Sequence, residues 1–519
     1  MKIERTKNAT RNIFFGVVLK IYQILIPFLM RTAMIYLMGV QYLGLNSLFT
    51  SVLQVLNLAE LGVGSAMVYS MYKPIADDDE VTICALMKLY KTYYRVIGLV
   101  IAVVGCLLTP FIPYLVKSDV PVGINIYILY LLNLGATVLS YWLFAYKNSI
   151  LQAHQRTDVV SKVTLITNTI QYGLQFLVLW QFHNYYLYVI VVLITQAITN
   201  IATAVFSNKL YPQFKPKGKL PKTEVEAINK RVRDLFTAKL GGVVVNSADT
   251  IVISAFLGLT VLAVYQNYYF ILTSVIGFIS VIFAACTAGI GNSLIVETKE
   301  KNYNDLNKFT FLISWIAGIC SGCFLGVYQP FMKLWAGEDL LLPFSAVICL
   351  VLYYYIYEIN QLLNLYKDAG GIWHEDRFRP LVTAIANLSM NIIMVQFWGI
   401  YGVLLSTVLS MMFVGMPWLL CNLFNTLFDQ NQLKPYLYKL FIYTVTALVS
   451  DIIVMLICNL INFGLITTIL LRLFVCVSIP FVIYITLFHK SIEFRQSILL
   501  IDNITKGKLK LRKIFRIEI

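Results

Sequence analysis

The sequence predicts an all-α polytopic membrane protein: two parallel six-helix repeats followed by two additional helices. Three observations carry this. Of the 519 residues, 59% are apolar and 13% charged, far from the roughly one half and one quarter of a soluble domain. Runs long enough to cross a bilayer, about 20 residues at 1.5 Å each, recur along the chain. The chain also repeats itself at a spacing of 219 to 220 residues. Lys20 falls on Lys239, Gly39 on Gly258, Leu43 on Leu262 and Asn168 on Asn387 at 219, and Pro110-Phe111 falls on Pro330-Phe331 and Tyr146-Lys147 on Tyr366-Lys367 at 220. One stretch is displaced, Gly62-Val63-Gly64 meeting Gly289-Ile290-Gly291 at 227.

Fourteen spans follow from the apolar runs, near 12–38, 44–72, 88–116, 122–146, 158–180, 186–208, 236–257, 261–291, 309–335, 342–366, 380–398, 401–425, 437–460 and 464–489. Nothing before Arg11 reads as a cleavable leader, because that stretch is polar and basic and no small-residue cleavage site follows the first run. The first span is therefore expected to stay. Cations alternate between the two sets of connections. One set, with both tails and the adjoining span ends, holds 36 of the 41 Lys and Arg, and the other holds only Lys117 and Lys333. The positive-inside rule puts both termini and the basic loops in the cytoplasm. Six spans separate the copies, so both halves start from the same side and are related by an axis along the membrane normal.

The expected organisation is a first bundle at 1–208, a basic cytoplasmic linker at 209–235, a second bundle at 236–425, additional helices at 426–490 and a basic tail at 491–519. A cavity between the halves is the expected binding place. Basic loops and the tail cations Lys506, Lys508, Lys510, Arg512, Lys513 and Arg516, lying beside anionic lipid, account for the net charge of +15. No nucleic-acid partner is needed.

The informative residues are charges inside apolar spans, where a cation costs several kcal/mol unless it faces water, a ligand or a counter-ion. Lys20 and Arg31 are eleven residues apart on the first span, three turns of one helix face and roughly 16 Å along its axis. Both read as cavity-lining, with outward snorkelling the plainer alternative for Arg31. Lys239 is as deep as Lys20 by the repeat, but Arg231, Arg233 and Asp234 just before it also allow an ordinary cytoplasmic-side cation. Among the acids, Asp249 matches Arg31 in depth on the equivalent helix, Glu60 shares a polar stripe with Asn46 and Asn57, and Glu358 lies in the tenth span. These three are candidates for gating or coupling, with structural pairing as the alternative. Asp451 and Arg472 match in depth on the last two spans and are expected to pair.

Catalysis has no evident home. The chain has no phosphate-binding glycine loop, no zinc-protease motif and only four histidines, at 154, 183, 374 and 489. Asp77-Asp78-Asp79-Glu80 reads as a solvated loop, the nine cysteines sit in apolar runs and read as packing, and the tyrosine-rich spans read first as packing and interface belts. No metal, cofactor or enzymatic activity is expected.

Several stretches are short but specific in combination: Tyr42-Leu43-Gly44-Leu45, Glu60-Leu61-Gly62-Val63-Gly64, the turn Gln152 to Arg156, Glu375-Asp376-Arg377-Phe378-Arg379-Pro380-Leu381 with Asn387, and Gly399-Ile400-Tyr401-Gly402-Val403. Together they resemble the Wzx-type polysaccharide repeat-unit flippases of the multidrug/oligosaccharidyl-lipid/polysaccharide exporter superfamily. The resemblance implies a MATE/MurJ-like fold with an alternating-access cavity in the bacterial cytoplasmic membrane. It also implies an undecaprenyl-pyrophosphate-linked oligosaccharide as substrate, with a polysaccharide polymerase and assembly machinery as partners. Lys20, Arg31 and Lys239 are the residues expected to hold the pyrophosphate. Lipid II transfer and drug or cation efflux are the alternatives on the same scaffold. A membrane glycosyltransferase or polymerase ranks below them, because the outer loops are only a few residues long.

Overall fold

The computed structural model describes residues 5–117 and 120–504, together with Arg512 and Phe515. Five of the tail cations, Lys506, Lys508, Lys510, Lys513 and Arg516, therefore lie outside the described residues. Contacts divide the chain into two compact units, Met1–Ala263 and Val264–Ile519. Among the described residues the secondary structure is helical throughout, without strands. Hydrocarbon supplies no hydrogen bonds, so a spanning segment must satisfy its backbone internally.

The first unit runs α1 (Arg5–Leu37), α2 (Val40–Leu56), α3 (Val63–Ala76), α4 (Glu80–Leu108), α5 (Ile126–Trp142), α6 (Lys147–Ala153), α7 (Thr157–Phe182), α8 (Tyr185–Leu210) and α9 (Lys222–Leu257). Helix α10 (Leu259–Val296) begins with its last residues. The second unit continues with α11 (Lys299–Ala336), α12 (Phe344–Ala369), α13 (Arg379–Trp398), α14 (Ile400–Ser410), a π-helical turn at Met411–Gly415, and α15 (Met416–Thr426). The chain closes with α16 (Leu433–Leu460), α17 (Leu465–Phe488) and α18 (Ile492–Ile504).

Eleven helices among the described residues are long and apolar enough to cross a membrane, twelve if the bent α5–α6 pair is one span. The sequence reading of fourteen differs at two places. The run 44–72 is not one helix: it breaks at a 3-10 turn, Asn57–Glu60, and at Gly62, whose φ of 88° suits a residue without a side chain. The run 158–180 is one helix, α7, but Thr164, Thr167, Asn168, Thr169, Gln171 and Gln175 dilute its apolar character. The fourth run, 122–146, bends by 58° after Trp142.

The repeat is visible in the backbone. Gly39 and Gly258, equivalent by sequence, cap the N-termini of α2 and α10 with φ of 112° and 95°. The halves then diverge, since the α2–α3 break at Gly62 meets the uninterrupted α10 around Gly289. Each unit also buries a carboxylate at the start of equivalent helices. Asp158 of α7 is ringed by Arg156 at 2.9 Å, Lys162 at 3.6 Å and Arg11 at 3.8 Å. Asp376, just before α13, holds Arg379 at 2.6 Å, Asn422 at 3.1 Å and Lys367 at 3.8 Å. The chain after α8 packs back on α6: Lys147 donates to the Phe214 carbonyl at 3.2 Å, and the His154 ring lies 4.3 Å from that of Tyr211. Burial holds the His154 imidazole below its usual range.

Between membrane helices, packing and polar contacts replace the hydrophobic drive available in water. Helices α13 and α14 show both. Asn387 donates to Thr407 at 2.9 Å and Ser406 to Asn391 at 2.6 Å. A Cβ at Gly402 would lie 2.3 Å from the Met394 carbonyl. The additional helices α16 and α17 dock on α11 through Phe311, Trp315, Tyr443 and Tyr484, with Trp315 and Tyr484 stacked at 5.9 Å. The cysteines are free. The expected Asp451–Arg472 pair does not form. Arg472 donates to the carbonyls of Gly326 at 3.2 Å and Ile461 at 3.1 Å, while Asp451 faces α11. Equal depth does not set which way a helix face points, and the carbonyl just past the end of α16 is an acceptor the helix leaves open.

Gly402→Ala should destabilise the protein by about 1–3 kcal/mol through overpacking. Gly464→Ala, where a Cβ meets nothing within 4 Å, should leave thermal unfolding in detergent unchanged.

Candidate functional site

The candidate site lies inside the first unit, where α3, α4, α6, α7 and α8 leave a cavity of about 360 Å³. Its wall is polar: Glu60, Ser65, Tyr90, Tyr94, Asn148, Ser149, Gln152, Thr164, Thr199, Asn200 and Thr203 all contribute. Local breaks in the helices make the space. The 3-10 turn ending at Glu60 and the left-handed Gly62 turn Glu60 toward α4. On the opposite wall, α5 stops because the Trp142 indole seats on Gly98 of α4, where a Cβ would come within 2.3 Å, and its Nε1 donates to the Arg95 carbonyl at 3.1 Å. Phe144 follows at φ 59°, a conformation costly for a bulky side chain. The chain then restarts as α6, presenting Asn148, Ser149 and Gln152 to the cavity.

Glu60 is the centre of a hydrogen-bonded chain. Tyr94 donates to Glu60 Oε1 at 2.9 Å, and Tyr90 donates to Tyr94 at 2.6 Å. Tyr141 sits edge-on to Tyr94, ring centroids 5.4 Å apart. Gly64 passes so close that a Cβ there would lie 3.0 Å from the Tyr90 hydroxyl and 3.2 Å from Glu60 Oε1. Lys239 reaches in from α9, donating to Ser65 Oγ at 3.3 Å, near enough to Glu60 for their charges to interact. Asn200 is fixed by a 2.7 Å bond to the Ser140 carbonyl, whereas Asn148 Oδ1 is buried with no partner. The wall offers hydroxyls, amides and one carboxylate around a polar space, with one ammonium bonded to that wall from outside: donors and acceptors suited to a polyol or an oxyanion.

Of the residues singled out from sequence, the structure brings Glu60 and Lys239 together. Lys20 is exposed on α1. Arg31, on the same helix, is half-buried within electrostatic range of Tyr188 of α8. Asp249 is buried on α9, and Glu358 lies in the second unit, fully buried. The polar stripe of Asn46, Asn57 and Glu60 is interrupted by the break: Asn46 faces Tyr185 of α8 at 3.5 Å, and Glu60 faces Tyr94. Sequence reasoning missed Tyr90, Tyr94, Tyr141, Ser65 and the amides. The available signal was Tyr90 and Tyr94, four apart on one helix face.

Broken helices bordering a polar cavity are a feature that many transporter folds share. Comparison with solved structures gives that fold a name. The chain is similar to "Lipid II flippase MurJ, inward closed conformation", with TM-score 0.65 and 14% identity over 92% of this chain and 99% of that one. It is also similar to an inward-facing multidrug resistance MATE family transporter of the MOP superfamily, TM-score 0.59 and 15% identity over 79% and 96%. A MATE in the bent conformation matches with TM-score 0.53 and 14% identity over 82% and 96%. No protein-family model and no curated protein matches the sequence. The fold is therefore MurJ/MATE-like.

Tyr94→Phe should cost about 1.5–3 kcal/mol by removing a bond to a carboxylate, and Tyr90→Phe about 0.5–1.5 kcal/mol by removing one between hydroxyls. Thermal unfolding of the two purified variants checks the order.

Proposed function

We propose that this protein is a flippase that carries an undecaprenyl-pyrophosphate-linked oligosaccharide repeat unit from the inner to the outer leaflet of a bacterial cytoplasmic membrane, for surface polysaccharide synthesis. The observation that supports this best is the polar cavity in the first unit, with Lys239 bonded to its wall. A hydrocarbon-spanning bundle keeps such a space only where something polar must enter. Hydroxyl and amide groups suit a glycan. Lys239, with Lys20 and Arg31 on α1, supplies cations for the pyrophosphate.

The energetics favour this assignment. Each negative charge moving outward gains about 2.3 kcal/mol per 100 mV of inside-negative potential. Cations that stay with the protein keep that gain, and a few of them hold the anion without trapping it. The polyprenyl chain stays in lipid. Glu60 and Asp249 act in gating: Glu60, beside Lys239, competes with the incoming pyrophosphate for the ammonium. Both termini are cytoplasmic in this reading, and a polymerase takes the product at the outer face. Lipid II, named for the MurJ neighbour, is the second reading because it offers the same lipid pyrophosphate. A cationic drug, as in multidrug transporters, would have to approach Lys239.

Vesicles holding the purified protein should transfer a fluorescent undecaprenyl-pyrophosphate oligosaccharide between leaflets. The combined Lys20→Gln, Arg31→Gln and Lys239→Gln variant should lose about tenfold or more, a difference of about 1.4 kcal/mol. Equal transfer by this variant would remove the cations from the mechanism, and transfer of lipid II alone would select the second reading.

A further inference from the structure

The second unit holds a small cleft, about 230 Å³, where α10, α11 and α12 all pass from apolar to polar sequence. On α11 the apolar run begins at Phe309, directly after the charged stretch Lys299–Lys308, and on α12 it ends at Tyr366-Lys367-Asp368. Helix α11 has 38 residues, about 57 Å at 1.5 Å each, against a hydrocarbon core about 30 Å thick. Its polar end therefore stands at headgroup level, among lipid phosphates and ammoniums.

The wall of the cleft carries one charge of each sign. Asp305 and Lys308, one turn apart on α11, form an ion pair, their side chains 25% and 15% exposed. Ser293 of α10 donates to Asn302 at 2.8 Å, and the Asn302 amide donates to the carbonyls of Ser293 and Glu297 at 3.2 and 3.3 Å. The α10–α11 connection is thus braced without Asp305 or Lys308. Lys367, the next cation along α12, is engaged by Asp368 at 2.9 Å and Asp376 at 3.8 Å. Tyr366 of α12 is different. It lines the cleft, is 1% exposed and packs on Phe428, ring centroids 5.9 Å apart, yet its hydroxyl has no hydrogen-bond partner. That hydroxyl lies within electrostatic range of Asp305, and a buried hydroxyl left unmatched is costly.

A space below the roughly 300–1,000 Å³ of a drug-sized ligand's pocket excludes an oligosaccharide and suits a small polar group. A simple anion would have to displace Asp305 from Lys308, and a simple cation would have to displace Lys308 from Asp305. A zwitterion satisfies both. Its phosphate accepts from Lys308 while its ammonium donates to Asp305, so one ion pair is exchanged for two and neither charge is left bare. The same phosphate can accept from Tyr366. We infer that this cleft binds the headgroup of a membrane phospholipid whose phosphodiester carries a primary ammonium, as in phosphatidylethanolamine, with the acyl chains remaining in lipid. A quaternary ammonium has no N–H to donate to Asp305, and a glycerol headgroup has no cation, so phosphatidylcholine and phosphatidylglycerol fit less well. The inference stands independently of the transport reading above.

Native mass spectrometry of the purified, delipidated protein, offered phosphatidylethanolamine, phosphatidylcholine or phosphatidylglycerol in turn, reads the site. Wild type should retain phosphatidylethanolamine several-fold more than the other two. That preference should vanish in the Asp305→Asn, Lys308→Gln double variant and fall several-fold in Tyr366→Phe. Because the Tyr366 hydroxyl has no partner in the protein, Tyr366→Phe should unfold at or above the wild-type temperature without lipid, and it decides the case if the double variant fails to fold. Equal retention of the three lipids by wild type, or an undiminished preference in Tyr366→Phe, overturns the inference. Soluble O-phosphoethanolamine should displace the lipid only in large excess, and displacement at equal concentration would overturn a lipid as the occupant.

Discussion

Hydrocarbon accepts no hydrogen bonds, and that constraint shapes nearly everything about this chain. It forces continuous helix wherever backbone meets lipid, so every departure from helix inside a span has to be covered by protein or by a wet space. The departures cluster. The Asn57–Glu60 turn, Gly62, and the Trp142 to Phe144 bend all border one polar cavity. Other long helices run unbroken, α10 and α11 over 38 residues each, and the π-helical turn Met411–Gly415 is a separate departure in the second unit. The irregular backbone of the first unit thus surrounds its polar cavity.

Charge follows the same logic at the level of side chains. Asp158 and Asp376 are buried among cations or amides at the starts of α7 and α13, and are paired accordingly. Glu60 takes the Tyr94 hydroxyl and a nearby ammonium. Glu358 and Asp451 take neither. The contrast is between acids whose burial is offset by a partner and acids whose burial is not.

Much of this was legible in the sequence, because the bilayer makes the code coarse. Apolar runs gave the helices, and the glycines equivalent by repeat, Gly39 and Gly258, carry the same left-handed backbone. Lys239 and Glu60 stood out because charge in an apolar run is rare. Other features required the third dimension. Nothing local says that Trp142 will seat on Gly98 and stop α5, or that Tyr94 rather than Asn57 will face Glu60. The Asp451–Arg472 expectation failed for the same reason: hydropathy reports depth, and azimuth depends on packing. The two counts of spans part where polar side chains lower a helix's mean hydropathy, as along α7.

That last feature bears on biogenesis. A membrane-insertion machinery judges each segment as it emerges, by its own affinity for lipid. Helix α7, with its threonines, asparagine and glutamines, and the broken α2–α3 pair are poor passengers by that criterion alone. The Thr167 and Thr169 hydroxyls bond back to the α7 backbone, whereas Gln171 is matched by Thr195 of α8. Insertion of these segments is expected to be favoured by the helices that shelter them, so that the polar residues which build the cavity also couple the insertion of one helix to that of the next.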